Sequence, residues 1–425
     1  MNVKDVILTI TLMLGAGLVS QLVADFLRAP RMLLLLGVGT LIGPSVGDAV
    51  DVPLDSIGAQ LLLTLGVSFI LFHGGLQLST RVLSGVAVGL GLLVVPGVIL
   101  TALITGSVAA LVFGLPWTTG LLIGAVLAPT DPAILIPLFE RMHLRPKVSQ
   151  AIIAESALND PTGAVLALAF AGVVLSGRAS MTDPLQSFVV DLAISTALGI
   201  VFGVVLSAVV SSRRAGIWRE SSAITVMAVL SAGYVSIDEA GGSGYLGAFL
   251  AGLIVGNMDR LGLAMHSHHE NELRTLVAVI ADVMVIFVFI TLGANLPWGD
   301  IKAHLAPSLA VVATLVLVAR PLTVLVCLLP DRRGRWRREE IVFLAWTRET
   351  GVVPAALAGV IVGLHVPDAN LVVTAVALAI IVTIGVQATT KRWLAQRLRL
   401  LESFEPPAVL RGDERPVPAA GASTP

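Results

Sequence analysis

A single cysteine, Cys327, rules out an intramolecular disulfide and leaves no basis for a soft-metal centre built on thiolates. Charge is scarce as well: Asp, Glu, Lys and Arg supply 13% of the 425 residues, and their net balance of −1 says nothing about partners. Before the C-terminal tail, no polar region is long enough to fold on its own. What fills the chain is apolar. It is 56% hydrophobic with a mean hydropathy of +0.92, which excludes a soluble globular domain and points to an all-α polytopic membrane protein. No nucleic-acid partner, cofactor or enzymatic centre is expected.

Thirteen apolar segments approach spanning length, at 5–26, 31–48, 54–79, 82–113, 117–141, 148–176, 184–212, 219–238, 243–258, 273–296, 305–329, 339–364 and 368–392. The first lacks a cleavage-site pattern and is read as a retained helix. With the N-terminus outside, twenty Lys and Arg fall in the cytoplasmic loops and C-terminal flank, Lys391 and Arg392 among them, against Lys4, Arg178 and Lys302 on the other side. That bias predicts an odd number of spans and a cytoplasmic C-terminus.

The chain is organised around residues 128–163. Thr130 and Asp131 stand between Pro129 and Pro132 near the middle of the fifth segment. Proline removes a backbone donor and disfavours α geometry just before it, so the fifth segment is expected to be two half-helices joined by unwound backbone. Such backbone survives at membrane depth only where protein buries it or it lines a polar cavity. The sixth segment carries Glu155, Ser156, Asn159 and Asp160 within two turns, and the i, i+4 spacing stacks Glu155 with Asn159 and Ser156 with Asp160. Three carboxylates at membrane depth mark a functional site; the plainer reading is a polar network that only holds the bundle together.

Two arginines also lie mid-span, Arg320 in the eleventh segment and Arg348 in the twelfth. Each is too deep for easy snorkelling, and either could be the partner that a buried Glu155 demands. The twelfth segment is polar and broken at its centre, around Thr347, Arg348, Glu349, Thr350, Gly351 and Pro354. If segments 1–6 and 8–13 are two six-helix repeats, the odd seventh segment inverts one relative to the other. Interrupted helices at corresponding places then point to a transport site at the midplane. Asp131 and Arg348 could each compensate a half-helix dipole end, and for Asp131 this reading stands beside direct ion binding.

Together, Thr130-Asp131, Glu155-Ser-Ala-Leu-Asn159-Asp160, the mid-span Arg320 and Arg348-Glu-Thr-Gly resemble the NhaP-type sodium/proton antiporters of the monovalent cation/proton antiporter superfamily, across about residues 5–395. The resemblance implies an NhaA-like inverted-repeat fold of about 13 helices, a homodimer in a prokaryotic plasma membrane, and a role in sodium and pH homeostasis. It implies an ion-transport core of 82–176 and 297–396, moving elevator-like against a dimerisation domain of 1–81 and 177–296, with 397–425 a disordered cytoplasmic tail. It further implies that Asp160 binds the cation or proton, that Thr130, Asp131, Glu155 and Ser156 surround the ion with Asn159 in support, and that Glu155 pairs with Arg320. Sodium would be held by Asp160, Thr130 and Ser156, and the Asn-Asp pair resembles the electroneutral exchangers; potassium-preferring relatives share much of the motif.

Chemistry agrees with this reading. A hard cation wants oxygen ligands, which carboxylate, hydroxyl and freed carbonyl oxygens supply. One carboxylate that must hold either a proton or a monovalent cation gives one-for-one exchange. The alternative is a sodium-coupled symporter of an organic solute with an inverted-repeat fold. Gly241-Gly-Ser243-Gly is read as a turn rather than a hydrolase serine, His266, His268 and His269 with Glu270 as a solvated loop, and Phe287 as a lipid-facing or interface position.

Overall fold

The computed structural model describes residues 3–27, 29–80, 87–131, 139, 142–177, 182–211 and 221–401. The second half of the fifth segment (132–138), Arg28, Arg81, Arg141, Arg178, Arg213, Arg214, Arg219, and the tail from 402 onward lie outside those residues. Among the described residues the regular elements are helical, with one isolated bridge between Leu144 and Leu401.

Taken in order the main helices are α1 Val3–Leu27, α2 Arg31–Ile42, α3 Ile57–Gln77, α4 Val88–Phe113, α5 Trp117–Leu127, α6 Pro146–Ser176 and α7 Thr182–Val210. They continue with α8 Ser222–Glu239, α9 Gly244–Gly256, α10 Ser267–Ala294, α11 Leu305–Leu328, α12 Arg338–Trp346, α13 Val352–Gly363 and α14 Ala369–Arg397. Eight of the described helices are long and apolar enough to cross a membrane; α2, α5, α9 and α13 are shorter apolar helices. For α5 and α13 the shortness has a local cause. Helix α5 stops before Pro129, and α12 and α13 are separated by the non-helical Thr347–Gly351. Pro354 does not make that break: it sits in the first turn of α13, where a missing amide costs no intrahelical bond.

Between apolar helices in lipid, close backbone approach replaces hydrophobic attraction as the packing force, and small residues set the contact lines. A Cβ on Gly124 would strike the backbone of α4 at Ala102 and Gly106, and one on Gly252 would strike Phe72. These contacts join α4 to α5 and α3 to α9. Gly75 meets the α9 backbone in the same way. Of the two positions expected for Phe287, lipid-facing is excluded: it is 6% exposed and part of the main core, because α10 packs against both α2 and α3. Lys391 departs further. Expected in the cytoplasmic flank, it has no exposed surface at all.

Two helices depart from α geometry in the middle. Leu315–Ala319 in α11 and Thr383–Ala388 in α14 are π turns. The first delivers Arg320 to the interior at the next position, and the second spans Thr383 and Gln387, both buried.

Candidate cation site at the crossing of two interrupted helices

The unwound ends of α5 and the α12–α13 pair meet and satisfy each other's backbone. The Asp131 amide donates to the Glu349 carbonyl at 3.1 Å, and the Val352 amide donates to Asp131 Oδ2 at 3.0 Å. Asp131 therefore caps the N-terminus of α13. In return Arg348 Nη2 donates to the carbonyls of Leu127 (2.6 Å) and Ala128 (2.7 Å), capping the C-terminus of α5. Each side chain places its charge against the helix end of opposite sign, where unsatisfied amides or carbonyls would otherwise be orphaned. The fit is tight, since a Cβ on Gly351 would overlap the Asp131 side chain.

Helix α6 passes beside this crossing and presents the four residues expected of it. Thr130 donates its amide to Asn159 Oδ1 (3.1 Å) and accepts from Asn159 Nδ2 at its hydroxyl (2.9 Å). The same hydroxyl shares a 2.9 Å hydrogen bond with Ser156 Oγ. The Asp160 carboxylate lies within electrostatic reach of Asp131 and beside the Thr130 backbone. None of these five residues is more than 4% exposed. Close approach here again depends on a glycine: Pro129 packs against the α6 backbone at Gly163.

Glu155 stands one turn before Asn159 and pairs with Arg320, not Arg348. Arg320 Nη2 reaches Glu155 Oε2 at 2.9 Å, its Nη1 contacts Oε1, and its Nε donates to the Leu344 carbonyl at 3.1 Å. The guanidinium fork thus binds carboxylate and α12 backbone together. A second buried ion pair was not anticipated. Glu349 and Lys391 meet with no exposed side-chain surface on either, and the Lys391 ammonium also stands 5.7 Å from the Phe139 ring centre. Thr383, Gln387 and Lys391 recur at intervals of four in the sequence, a signal that would have drawn Lys391 inward had the adjacent Arg392 not made it read as a flank.

Most of the buried acids are thus balanced. Glu155 has Arg320 and Glu349 has Lys391, while Asp131 has the N-terminus of α13. Among the described residues Asp160 is the one carboxylate of the crossing paired with neither a basic side chain nor a helix N-terminus, and its Oδ1 has no hydrogen-bond partner. A buried carboxylate in that position needs a proton or a cation. Around it stand Thr130 and Ser156 hydroxyls and unwound backbone, the oxygen-rich setting that a hard cation takes. Elsewhere, Ser243 donates its amide to Ser195 Oγ at 2.6 Å in the turn before α9, and His268 and His269 pair with Glu272 at an exposed helix start.

A bundle in which an unwound helix end meets an interrupted helix, beside an intramembrane carboxylate with no basic partner among the described residues, has the architecture of a secondary transporter. The sequence matches the family model "sodium/hydrogen exchanger, transmembrane" over residues 9–397, and the chain belongs to that family. It is 28% identical to the K(+)/H(+) antiporter NhaP of Alkalimonas amylolytica over 91% of this chain and 66% of that protein. It is 30% identical to the K(+)/H(+) antiporter NhaP2 of Shewanella sp. (strain ANA-3), over 91% and 65%. The chain therefore spans about two thirds of the length of these relatives. Na(+)/H(+) antiporter 1 of Methanocaldococcus jannaschii is 29% identical, over 84% and 83%. The solved structure of the sodium proton antiporter MjNhaP1 from the same organism superimposes with a TM-score of 0.81 at 25% identity, covering 93% of this chain and 99% of that one.

Proposed function

We propose that the protein is a secondary antiporter that exchanges a monovalent cation, Na+ with Li+ or K+ as further candidates, for H+ across a membrane. The observation that carries this reading is Asp160, buried beside Asp131 and lacking a basic partner. Proton and cation compete for that carboxylate. With either bound the site holds the same charge, so exchange is one-for-one and electroneutral. Thr130 and Ser156 complete the cation's oxygen shell with Asp160; Asn159 holds Thr130 in place. Glu155 belongs to this group as the anchor of Arg320 rather than as a direct ligand, since both its oxygens are engaged by the guanidinium. Asp131 and Arg348 stabilise the helix ends that frame the ion. The relatives' antiporter names support this reading, and nothing in them supports solute-coupled symport.

The same reading carries the remaining assignments. The protein is an integral component of a prokaryotic plasma membrane, N-terminus outside and C-terminus in the cytoplasm. It works as a homodimer in contact with lipid, catalyses no covalent chemistry, and moves its 82–176 and 297–396 segments against 1–81 and 177–296. The test is reconstitution into liposomes with an inward-acid pH gradient. Addition of sodium, lithium or potassium collapses the gradient, unaffected by clamping the membrane voltage, and Asp160→Asn abolishes the collapse. Failure of all three ions across pH 5–9 by folded wild-type protein overturns the reading.

A further inference from the structure

The last described helix, α14, contributes no residue to the cation site, yet it grips the non-helical segment that frames it. Between α12 and α13, Glu349 faces two ways. Its carbonyl receives the Asp131 amide at 3.1 Å, while its carboxylate turns to α14 and pairs with Lys391. One residue on, the Thr350 amide donates to Thr383 Oγ1 at 3.0 Å, and that hydroxyl in turn donates to the Ala379 carbonyl at 2.7 Å. Thr347–Gly351 has no helical ladder of its own, so these two contacts supply the lateral restraint that α geometry would otherwise give. Lys391, Thr383, Glu349 and Thr350 are fully buried.

Stability is a poor explanation for the Glu349–Lys391 pair. Taking both charges out of water offsets most of their attraction, and an apolar pair of similar volume would hold the helices together as well. What the pair does that an apolar contact cannot is fix a particular residue in a particular register. The π turn at Thr383–Ala388 points the same way, since such turns interrupt a regular helix and recur where a side chain must be aimed.

We propose that α14 braces the cation site: Lys391 acting through Glu349, and Thr383 acting through the Thr350 amide, are positioning residues for exchange. Held by both, Thr347–Gly351 keeps the Glu349 carbonyl on the Asp131 amide and the Val352 amide on the Asp131 carboxylate, and so sets Asp131 and Thr130 beside Asp160. Neither Lys391 nor Thr383 touches the ion. Their loss weakens cation binding rather than removing the exchanging group. The proposal rests on the antiport reading, and the experiment separates the two.

The test is gradient collapse in liposomes, with apparent KM for sodium and maximal rate measured separately for the Glu349→Gln/Lys391→Met double variant, Thr383→Val and Thr383→Ser. The double variant removes both charges together, so no lone buried charge remains to unfold it. Loss of outer-shell support around a bound cation characteristically costs roughly tenfold or more in affinity. Both the double variant and Thr383→Val are expected to raise apparent KM by that factor with a smaller change in maximal rate, and Thr383→Ser, which keeps the hydroxyl, is expected to match wild type. Wild-type KM in the folded double variant, or in Thr383→Val if the double variant does not fold, overturns the proposal, as does a Thr383→Ser variant no better than valine. If wild-type protein itself exchanges nothing, the antiport reading fails instead.

Discussion

Glu155 and Asp160 lie five residues apart on one helix and have opposite fates. Glu155 is neutralised by a guanidinium that reaches both its oxygens; Asp160 has no basic partner among the described residues, and its Oδ1 has no hydrogen-bond partner. Their separate roles can be read in separate assays. Asp160→Asn keeps size and polarity but cannot ionise, so it is expected to abolish exchange with little change in the thermal unfolding midpoint in detergent. Glu155→Gln strands Arg320 in the interior, and removal of one partner from a buried pair costs about 3–5 kcal/mol. It is expected to lower the unfolding midpoint sharply, and retained wild-type stability would contradict the assignment. At this scale the sequence was most legible where residues sit four apart on a helix. The cluster on α6 was plain because its acids are absurd in an apolar run unless something uses them. From the residues alone the choice of Arg320 over Arg348 was open, because both are equally deep; only the family resemblance pointed to Arg320. Lys391 was hidden by its position, at the end of an apolar segment and next to another basic residue.

Among the elements, the two interrupted helices differ in how openly the sequence shows their breaks. The end of α5 before Pro129 was legible because proline has a local steric effect that needs no tertiary context, while the second half-helix expected there falls on 132–138, outside the described residues. In the twelfth segment the polar stretch Thr347–Gly351 is broken as expected, but Pro354 lies just beyond it, in the first turn of α13. Proline is well tolerated in a first turn, and at the break itself the missing Cβ of Gly351 leaves room for Asp131. Gly351→Ala is therefore expected to destabilise the protein by about 1–3 kcal/mol, as overpacking does, and to cut the exchange rate at least tenfold; both are read in one reconstituted preparation. The π turns of α11 and α14 left no trace in the sequence. An extra residue in a helical turn has no compositional signature, so it becomes visible only in the register of the residues beyond it, here Arg320 and the Thr383–Lys391 face.

For the whole molecule, composition was enough to define a polytopic helical bundle. The order of the helices around the site was not, because apolar segments resemble one another and their neighbours are chosen by small residues such as Gly106, Gly124 and Gly252. A prediction at this scale concerns pH. A cation binds only the ionised carboxylate, so protons act as competitors. Apparent KM for sodium is expected to rise as pH falls, by up to about tenfold per unit where protonation dominates, while maximal rate at saturating sodium changes less. A KM independent of pH between 5 and 9 would contradict a shared site. Exchange is also expected to be indifferent to an imposed membrane potential.

The reciprocal capping of the two broken helices bears on how such a molecule can move. Each strand holds the other's loose end, through Asp131 in one direction and Arg348 in the other. Sliding one past the other would strip four hydrogen bonds at once, each leaving a dry polar group at a cost of about 1–3 kcal/mol. The cheaper motion leaves the knot tied. If the protein exchanges ions as proposed, the cage is expected to travel with its passenger as one body while the surroundings slide.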